Sequence, residues 1–582
     1  EETFALAVQN QQKNNLHVAE NLYKEILKTN PNHFQSNFLL GTLSAQTKKF
    51  DIAKQLLQKA IQIQPNYADA HNNLGNVQRE LDEHQKAKVC FEKAIQINPN
   101  YAQAHNNLGI VFKESEEYQK AISCFQKAIQ IQPNYADAHN NLGIVFKELG
   151  EYQKAISSYQ KAIQINPNDA QVHNNLGIMF YASKELQKAI SCFQKAIQIQ
   201  PNYADAHYNL GTVLQKLGEP QKAVDFFKKA IQIQPNHISA HNNMLFTLLY
   251  FEKNDPKYLL SKLKEFRSSL KPIKDDLLLK YQFNSKPKKL KIGFVSGDFR
   301  EHPQGFVLLN TLKHLKNKNL ELIAYSNSLK KDSLSFELKS HFTSWHEIEK
   351  QKDLKVINQI RKDGIHILFD LSGHSARNRL PIFINKPAPV QVSWAGYAGS
   401  TGIPEIDYLI GDSFVTPSNE RNHFTEKIFL LPNIWVCFTA PDIEIKLDQL
   451  PAIKNGYITF GSFNNLSKIN DRVISLWCKI LSAMAGSKIF LKNKALNDSY
   501  FKKKIISDFK KNNISSDALI LEGGSSRNEL LASYNKVDIA LDPFPYSGGT
   551  TGFEAIWMGV PVLTKKGSKF ISHVTESINH NV

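Results

Sequence analysis

The stretch LDPFPYSGGTTGFEAIWMGVP, residues 541–561, combines residue types that suit the binding of an anion. An acidic residue and two prolines close a hydrophobic strand, and a run of small residues leads into a helix with Glu554 in its first turn. The N–H groups and positive end of a helix favour a phosphate there, and the hydroxyls of Thr550 and Thr551 add donors. The stretch matches neither GxGxxG nor a P-loop, and the same residues also suit simple helix capping.

Other polar residues follow apolar runs in the second half of the chain. They are His302 after KLKIGFVSGDF (289–299), Asp370 and His374 in FDLSGHSARNRL, and Asn464, Asn465 and Lys468 in FGSFNNLSKI. Ligands of open parallel sheets bind beyond the carboxyl ends of the strands, so these residues are expected at that edge.

Apolar runs in the second half alternate with helical or loop segments. The runs are KLKIGFVSG, LELIAYSN, GIHILFDLSG, then YITFGSF, SKIFLKN, ALILEGG and VDIAL. This alternation predicts parallel sheets with helices on both faces. Two successive units of about 150 residues predict two Rossmann-like lobes, at 287–440 and 441–582.

The first half of the chain is an internal repeat with a period of 34 residues. Proline, glycine and alanine all keep this step, at positions such as Pro133 and Pro167, Gly109 and Gly143, and Ala121 and Ala155. The period and the marker residues are those of tetratricopeptide repeats, which are pairs of antiparallel helices that stack into an α superhelix. We assign residues 1–245 to the array and 246–286 to a helical linker, with a hinge at NSKPKK (284–289).

Within a repeat, each marker residue has a physical role. Pro167 stops the second helix because proline cannot continue the hydrogen-bond ladder. Gly143 permits a close helix crossing. Ala155 and Ala162 lie on one helix face and let neighbouring helices approach.

Two polar columns keep the same period. Asparagine, a weak helix former, is expected to face the concave groove and bind the backbone of an extended peptide, or simply to solvate the inner face. This column is Asn73, Asn107, Asn141, Asn175, Asn209 and Asn243. The neighbouring histidine column, from His71 to His241, is interpreted as packing rather than metal binding.

The composition narrows the class of protein. The 582 residues are 42% hydrophobic, and no run of about 18 apolar residues predicts a membrane span. Five cysteines without metal spacing predict buried thiols in a reducing, cytoplasmic setting. The charge of +17 suits either an anionic partner or a solvated lysine-rich surface, but no nucleic-acid motif accompanies it. The first residues, EETFALAVQN, predict a fragment or a processed chain.

Five ordered motifs after the repeats resemble the protein O-glycosyltransferases of the O-GlcNAc transferase and SPINDLY type. The motifs are GFVSGDFREHP, GIHILFDLSGHSARNRL, PAPVQVSWAGYAGSTGIPEIDYLIGD, FGSFNNLSKI and LDPFPYSGGTTGFEAIWMGVPVLT. The resemblance implies a two-lobed GT-B fold and metal-free, inverting transfer of one sugar from a nucleotide sugar to Ser or Thr. It also implies that the second lobe is truncated at its C-terminus.

The resemblance also assigns roles to individual residues. His302 matches an active-site histidine, and Lys468 matches the lysine that contacts the donor diphosphate. The implied donor-binding residues are Asn465, Arg527, Gly549, Thr550, Thr551 and Glu554, and Gly396 and Tyr397 lie in the segment that lines the sugar pocket. Glu554 is implied to hold the ribose hydroxyls.

Several of these residues depart from the O-GlcNAc branch. Gly549 replaces a histidine, Glu554 an aspartate, Arg527 a lysine, and Ala398 a proline. We favour UDP-GlcNAc as the donor and polypeptides in the repeat groove as acceptors, with no cofactor and no metal. The alternatives are O-fucosylation from GDP-fucose, transfer to a small molecule or lipid carrier, and a degenerate peptide-binding scaffold.

Overall fold

The repeats form pairs of helices along residues 1–251. Each second helix ends two residues before a repeat proline, as at Ile165 before Pro167, which confirms proline as the stop signal. The first twelve helices are α1 (Glu2–Gln12), α2 (Leu16–Thr29), α3 (Phe34–Gln46), α4 (Phe50–Ile63), α5 (Ala68–Glu80), α6 (His84–Ile97), α7 (Ala102–Glu114), α8 (Tyr118–Ile131), α9 (Ala136–Glu148), α10 (Tyr152–Ile165), α11 (Ala170–Ala182) and α12 (Leu186–Ile199). The helices α13 (Ala204–Lys216), α14 (Pro220–Ile233) and α15 (Ile238–Leu248) follow.

This computed structural model describes residues 1–251, 255–282, 286–315, 319–441 and 444–582. The chain divides into two compact units, Glu1–Asn209 and Leu210–Val582, so the last repeat helices share a unit with the two sheets. The hinge proposed at 284–289 falls partly outside the described residues.

Each repeat glycine leaves space for an aromatic or leucine side chain of the paired helix. In the repeat formed by α9 and α10, an added Cβ on Gly143 would lie 2.6 Å from the Tyr159 ring. Tyr159, Ala155 and Ala162 are all buried, so the glycine and alanine marks define one closely packed face. The predicted role of Gly143 is thereby confirmed.

The variant Gly143→Ala tests this packing. Overpacking against Tyr159 should cost about 1–3 kcal/mol of unfolding free energy, which exceeds the gain of up to ~1 kcal/mol from better helix propensity. Denaturant unfolding of the full chain, followed by circular dichroism, measures the change. Ser157→Ala on the exposed face of α10 is the control, and adding Tyr159→Leu should relieve the cost. An unchanged or higher midpoint for Gly143→Ala would contradict the packing argument.

The second unit contains two fully parallel sheets. The first has the order β3-β2-β1-β4-β5-β6-β7 and the second the order β10-β9-β8-β11-β12. The strands are β1 (Leu290–Ser296), β2 (Leu320–Ser326), β3 (Ser344–Glu347), β4 (Ile367–Asp370), β5 (Val390–Ser393), β6 (Tyr408–Gly411), β7 (Lys427–Leu430), β8 (Thr459–Ser462), β9 (Lys488–Lys492), β10 (Leu519–Glu522), β11 (Ile539–Leu541) and β12 (Val562–Leu563).

Helices connect these strands. They are α16 (Pro256–Ser269), α17 (Pro303–Leu315), α18 (Ser333–Lys339), α19 (Asp353–Asp363), α20 (Leu380–Phe383), α21 (Pro451–Asn455), α22 (Asp471–Ala483), α23 (Ser499–Lys510), α24 (Arg527–Ala532), α25 (Thr550–Trp557) and α26 (Phe570–His580). The strand order reverses between β1 and β4 in one sheet and between β8 and β11 in the other, which are the places where such sheets bind ligands.

All seven strands expected from the apolar runs are present, and the parallel α/β architecture is confirmed. The sequence reading missed β3, β5, β6, β7 and β12, none of which exceeds four residues. Strands of three or four residues show too few alternations for periodicity alone, and the four of this length that were predicted, β4, β8, β10 and β11, were identified as apolar runs.

The last helix joins the second sheet to the first. The Phe570 ring of α26 meets the Trp435 ring edge to face at 4.8 Å, and Ser577 donates a hydrogen bond to Asp412 at 2.6 Å. Both contacts are buried, so α26 packs within the hydrophobic core of the first sheet.

The expectation of buried thiols holds for Cys478 and in part for Cys90, Cys124 and Cys192, but it is wrong for Cys437, which is exposed. The helices of the described ranges are all too short or too polar to cross a bilayer.

Candidate active site

Lys468 lies where the second sheet reverses its strand order. Its ammonium donates to the Asn464 side-chain oxygen at 3.2 Å and to the Ser547 carbonyl at 3.0 Å. The same Asn464 oxygen accepts from the Thr551 hydroxyl at 3.0 Å. Parallel pairing of β8 with β11 therefore brings the segment of Asn464 and Lys468 next to Ser547 and Thr551, which are far from it in sequence.

Burial lowers the pKa of Lys468 to about 8, although the nearby Asp542 carboxylate opposes this shift. The ammonium also lies 4.5 Å from the centre of the Tyr546 ring, which is a cation–π distance. The groups in direct contact with the ammonium are two neutral oxygens and an aromatic ring. They compensate its positive charge only in part, so the position suits a bound anion.

The glycine-rich loop before α25 is held open by Asp542. The Asp542 carboxylate accepts from the Gly548 N–H at 2.6 Å and from the Thr564 hydroxyl at 2.8 Å. An added Cβ on Gly548 would lie 2.5 Å from the Thr551 hydroxyl, so this position needs glycine. By contrast, only Val574 at 3.9 Å borders an added Cβ on Gly549, which leaves open space beside the helix start.

Helix α25 begins at Thr550, with Gly549 as its N-cap residue. The predicted helix start next to the small residues is therefore confirmed. Glu554 is the fifth helical residue, so its assignment to the first turn was wrong. It lies instead about one turn along the helix from Thr550.

Glu554 and Arg527 form an ion pair at 3.1 Å. Glu554 is 3% exposed, and burial raises its pKa despite the opposing effect of Arg527. The Arg527 guanidinium also lies 4.6 Å from the centre of the Phe306 ring, which belongs to the helix after β1. The contact between Phe306 and Arg527 therefore links α17, beside the first sheet, to α24, beside the second.

His302 precedes α17, after β1. Its Nδ1 accepts from the Gln304 N–H at 3.3 Å and lies 3.7 Å from the Asp298 carboxylate. Burial lowers the pKa of His302, and Asp298 opposes this change. In the neutral ring the proton is consequently on Nε2, which makes the free edge of the imidazole a donor. Within the described residues, no hydrogen bond joins His302 to Lys468 or Thr551.

Asp370 and His374 are buried rather than open to a ligand. Asp370 caps its turn by accepting from the N–H groups of Ser372 and Gly373 at 3.1 and 2.9 Å, and burial raises its pKa to about 6. His374 lies 2.7 Å from the Asn242 amide and 2.9 Å from the Thr401 carbonyl. Both residues hold the loop after β4 in place.

The segment expected to line a sugar pocket is tightly packed. An added Cβ on Gly396 would lie 1.9 Å from the Leu371 carbonyl, so the chain can pass there only as glycine. Tyr397 is 5% exposed and meets the His374 ring edge to face at 5.1 Å. The structure thus places the Tyr397 ring in the core beside the cleft.

Asn465 and Asn464 have different positions. Asn465 is exposed, and its side chain accepts from the Ser467 N–H at 3.1 Å, which caps its own short turn. Asn464 is 6% exposed and bridges Lys468 to Thr551. Both residues follow β8 directly in the sequence, and only the fold shows that their contacts differ.

The asparagine column is bonded from repeat to repeat. In the first unit each amide NH2 group donates to a side chain of the preceding repeat, at 2.9–3.2 Å. The pairs are Asn73 to Thr42, Asn107 to Asn72, Asn141 to Asn106, Asn175 to Asn140 and Asn209 to Asn174. In the second unit, Asn243 donates to Thr212 at 3.3 Å. These bonds fix the orientation of the amides, and peptide binding stays a prediction.

The histidine column closes helix ends. Six histidines, His71, His105, His139, His173, His207 and His241, place Nε2 at 2.9–3.1 Å from the carbonyl of the proline six residues earlier. Because a carbonyl only accepts, Nε2 carries the proton in each ring. The contacts agree with a packing role.

Among the residues that the structure describes, no group of three or more His, Cys, Asp or Glu side chains could hold a metal ion.

Comparison with known proteins identifies the class. The family model described as glycosyl transferase family 41 matches residues 272–442 and 442–581, which is more than half of the chain. Tetratricopeptide-repeat models match within residues 41–237. The chain belongs to glycosyl transferase family 41, and tetratricopeptide repeats precede the part that matches the family model.

Three similar proteins illustrate this membership. A Thermobaculum terrenum O-GlcNAc transferase mutant matches with a TM-score of 0.68 and 30% identity, over 76% of this chain and 85% of that chain. The probable UDP-N-acetylglucosamine–peptide N-acetylglucosaminyltransferase SPINDLY of Solanum lycopersicum is 33% identical over 50% of this chain and 32% of its own length. The protein named SEC of Arabidopsis thaliana is 29% identical over 50% of this chain and 30% of its own length. The match spans about a third of each curated relative.

Lys468→Met tests the electrostatic cost of the site. The pKa of Lys468 in the folded protein, about 8, lies below its ordinary 10.5, so between these values the unfolded chain binds more protons. Wild-type stability should therefore rise with pH through this window. At about pH 7 the variant should have a free energy of unfolding about 1–3 kcal/mol higher than wild type, and this gain should shrink as the pH rises from about 8 to 10.5.

Denaturant unfolding at a series of pH values measures this difference. The matched control is Lys503→Met on the exposed face of α23, which should change the free energy of unfolding by less than about 0.5 kcal/mol at every pH. A Lys468→Met variant that is less stable than wild type near neutral pH would contradict the interpretation of Lys468 as a costly buried charge.

Proposed function

We propose that this chain is an inverting glycosyltransferase that moves N-acetylglucosamine from UDP-GlcNAc to Ser or Thr hydroxyls of polypeptides. The observation that carries the proposal is the Lys468 ammonium, joined through Asn464 to Thr551 at the start of α25. This arrangement suits a diphosphate, because the helix end, the hydroxyl and the ammonium all favour negative charge. Membership in glycosyl transferase family 41 supports the same reaction class.

In the proposed reaction the acceptor oxygen attacks the anomeric carbon in line with the departing diphosphate. The carbon–oxygen bond to the diphosphate breaks, and its electron pair leaves with the nucleoside diphosphate. Lys468, Thr550 and Thr551 stabilise the charge that develops on this group. A bound diphosphate also keeps Lys468 protonated, since an adjacent anion raises the pKa that burial lowers.

His302 is proposed to face the acceptor and the sugar across the cleft. Its Nδ1 already accepts from the Gln304 N–H, so Nε2–H is a donor in the neutral ring. This tautomer suits a positioning bond to a sugar or acceptor oxygen. Because Nε2 already carries a proton, it does not take the proton of the acceptor hydroxyl; that proton passes in the proposed reaction to an oxygen of the departing diphosphate.

Glu554 and Arg527 are proposed to bind the donor as a pair. The Glu554 carboxylate suits two ribose hydroxyls, and the ion pair with Arg527 holds it in one orientation. The names of the relatives include UDP-N-acetylglucosamine, which favours that donor. The departures from the O-GlcNAc branch at Gly549, Glu554, Arg527 and Ala398 keep GDP-fucose as the alternative.

The repeat array is proposed to hold the polypeptide acceptor. The asparagine column gives a regular line of oriented amides in the first unit, with the spacing of one repeat. Amides of this kind hydrogen-bond the backbone of an extended chain without selecting its sequence.

Calorimetric titration with UDP and GDP, in EDTA, tests the donor. We expect tighter binding of UDP, with the affinity lowered by about 10- to 100-fold in Lys468→Met, because hydrogen bonds to a charged group contribute about 1.5–3 kcal/mol. Lys503→Met is the control and should bind as wild type. Tighter binding of GDP would favour fucosyl transfer, and no binding of either nucleotide would contradict glycosyl transfer by this chain.

A further inference from the structure

Beside Lys468, an aromatic stack reaches the site from the end of the repeat array. Tyr250, which follows α15, stacks on Tyr546 with ring centres 4.8 Å apart and planes inclined by 29°. Tyr546 is the ring that contacts the Lys468 ammonium, at 4.5 Å from its centre. The Tyr250 hydroxyl lies 3.5 Å from the Ser467 hydroxyl, next to Lys468 in sequence.

We propose that Tyr250 is a positioning residue for the proposed transfer reaction: through its stack on Tyr546 it fixes the Lys468 ammonium where the donor diphosphate leaves. The inference deepens the proposed function and rests on it. The inference is based on the contacts among Tyr250, Tyr546 and Lys468. These contacts connect the segment after the last repeat helix, which carries Tyr250, to the second sheet, where the lysine follows β8.

The segment that carries Tyr250 is itself anchored. The Phe251 carbonyl accepts a hydrogen bond from the ammonium of Lys569, the residue before α26. The Phe246 ring lies 6.0 Å from both the Tyr250 and the Tyr546 rings. Tyr250 is therefore held by the anchored residue that follows it and by the Phe246 ring four residues before it, which lets its own ring act as a fixed support.

The ring rather than the hydroxyl should carry the effect. A separation of 3.5 Å between hydroxyl oxygens is long for a hydrogen bond, whereas the stack and the cation–π contact lie at favourable distances. Removing the Tyr250 ring would free Tyr546 and admit water to Lys468. Because burial is the cause of the lowered Lys468 pKa, that pKa should then rise toward its ordinary value.

The first test needs no nucleotide. Lysines of the full chain are reductively methylated with 13C-formaldehyde, and the Lys468 signal, assigned by its loss in Lys468→Arg, is titrated by NMR. In Tyr250→Leu the Lys468 pKa should rise by about one unit, whereas in Tyr250→Phe it should stay within about 0.3 units of wild type. Tyr258→Leu in α16 is the matched control and should leave the titration unchanged. An unchanged Lys468 pKa in Tyr250→Leu would overturn the proposal.

The second test is a double-mutant cycle on binding of UDP and GDP. Tyr250→Leu should weaken binding of the preferred nucleotide by about fivefold in wild type, and by less than about 1.5-fold in the Lys468→Met background, since its effect passes through the lysine. Equal factors in the two backgrounds would show a merely structural role and overturn the proposal. Should wild type bind neither nucleotide, the proposed function fails, while the NMR titration still decides the role of Tyr250.

Discussion

The donor side of the site depends on one constraint, the parallel pairing of β8 with β11. Only three or four residues form each of these strands, with Ile539 opposite Phe460 and Ala540 opposite Gly461. The chain segments approach closely there: an added Cβ on Gly461 would lie 2.5 Å from the Val537 side chain, which precedes β11. It brings Asn464 and the Gly548 loop to the same edge, although about 80 residues separate them in the chain, and the Lys468 position follows from that meeting.

This edge concentrates charge that the fold must tolerate. Asp542 and Glu554 are both buried, and burial raises the pKa of each carboxyl group. Asp542 is offset by the Gly548 N–H and Thr564, and Glu554 by Arg527. Lys468 has weaker compensation, from two neutral oxygens and a ring. Burial of the Lys468 ammonium lowers the stability of the protein, and a bound anion would offset this cost; perturbed charged groups of this kind are typical of binding sites.

The sequence predicted most of this architecture because its strongest signals are local. The 34-residue period specifies helix pairs, and long apolar runs such as β1 and β2 specify buried parallel strands. The predicted helix start beside the small residues is confirmed because glycine and threonine have local effects on a helix end, but Glu554 lies beyond the first turn. Short strands such as β12 form by pairing with another strand of the sheet, so the local sequence pattern does not predict them.

The details of the site depended on contacts that sequence does not specify. Asn464 and Asn465 are adjacent and chemically identical, yet only Asn464 turns toward Lys468 and Thr551. The tautomer of His302 follows from one backbone N–H, that of Gln304. Tyr250 could not be connected with Lys468 because more than 200 residues lie between them and the connection passes through a third residue, Tyr546.

One buried histidine, His374, connects the last repeat to the first sheet. Burial lowers the pKa of His374 to about 3, so the ring is neutral near physiological pH and has one N–H. The Thr401 carbonyl lies 2.9 Å from Nε2, and the Asn242 side-chain oxygen lies 2.7 Å from Nδ1. In earlier repeats the side-chain oxygen of the equivalent asparagine, such as Asn72 or Asn106, accepts from the next repeat. The loop after β4 therefore takes the place of a further repeat beside Asn242, and the His374 contact ties α15, the helix before Tyr250, to the first sheet.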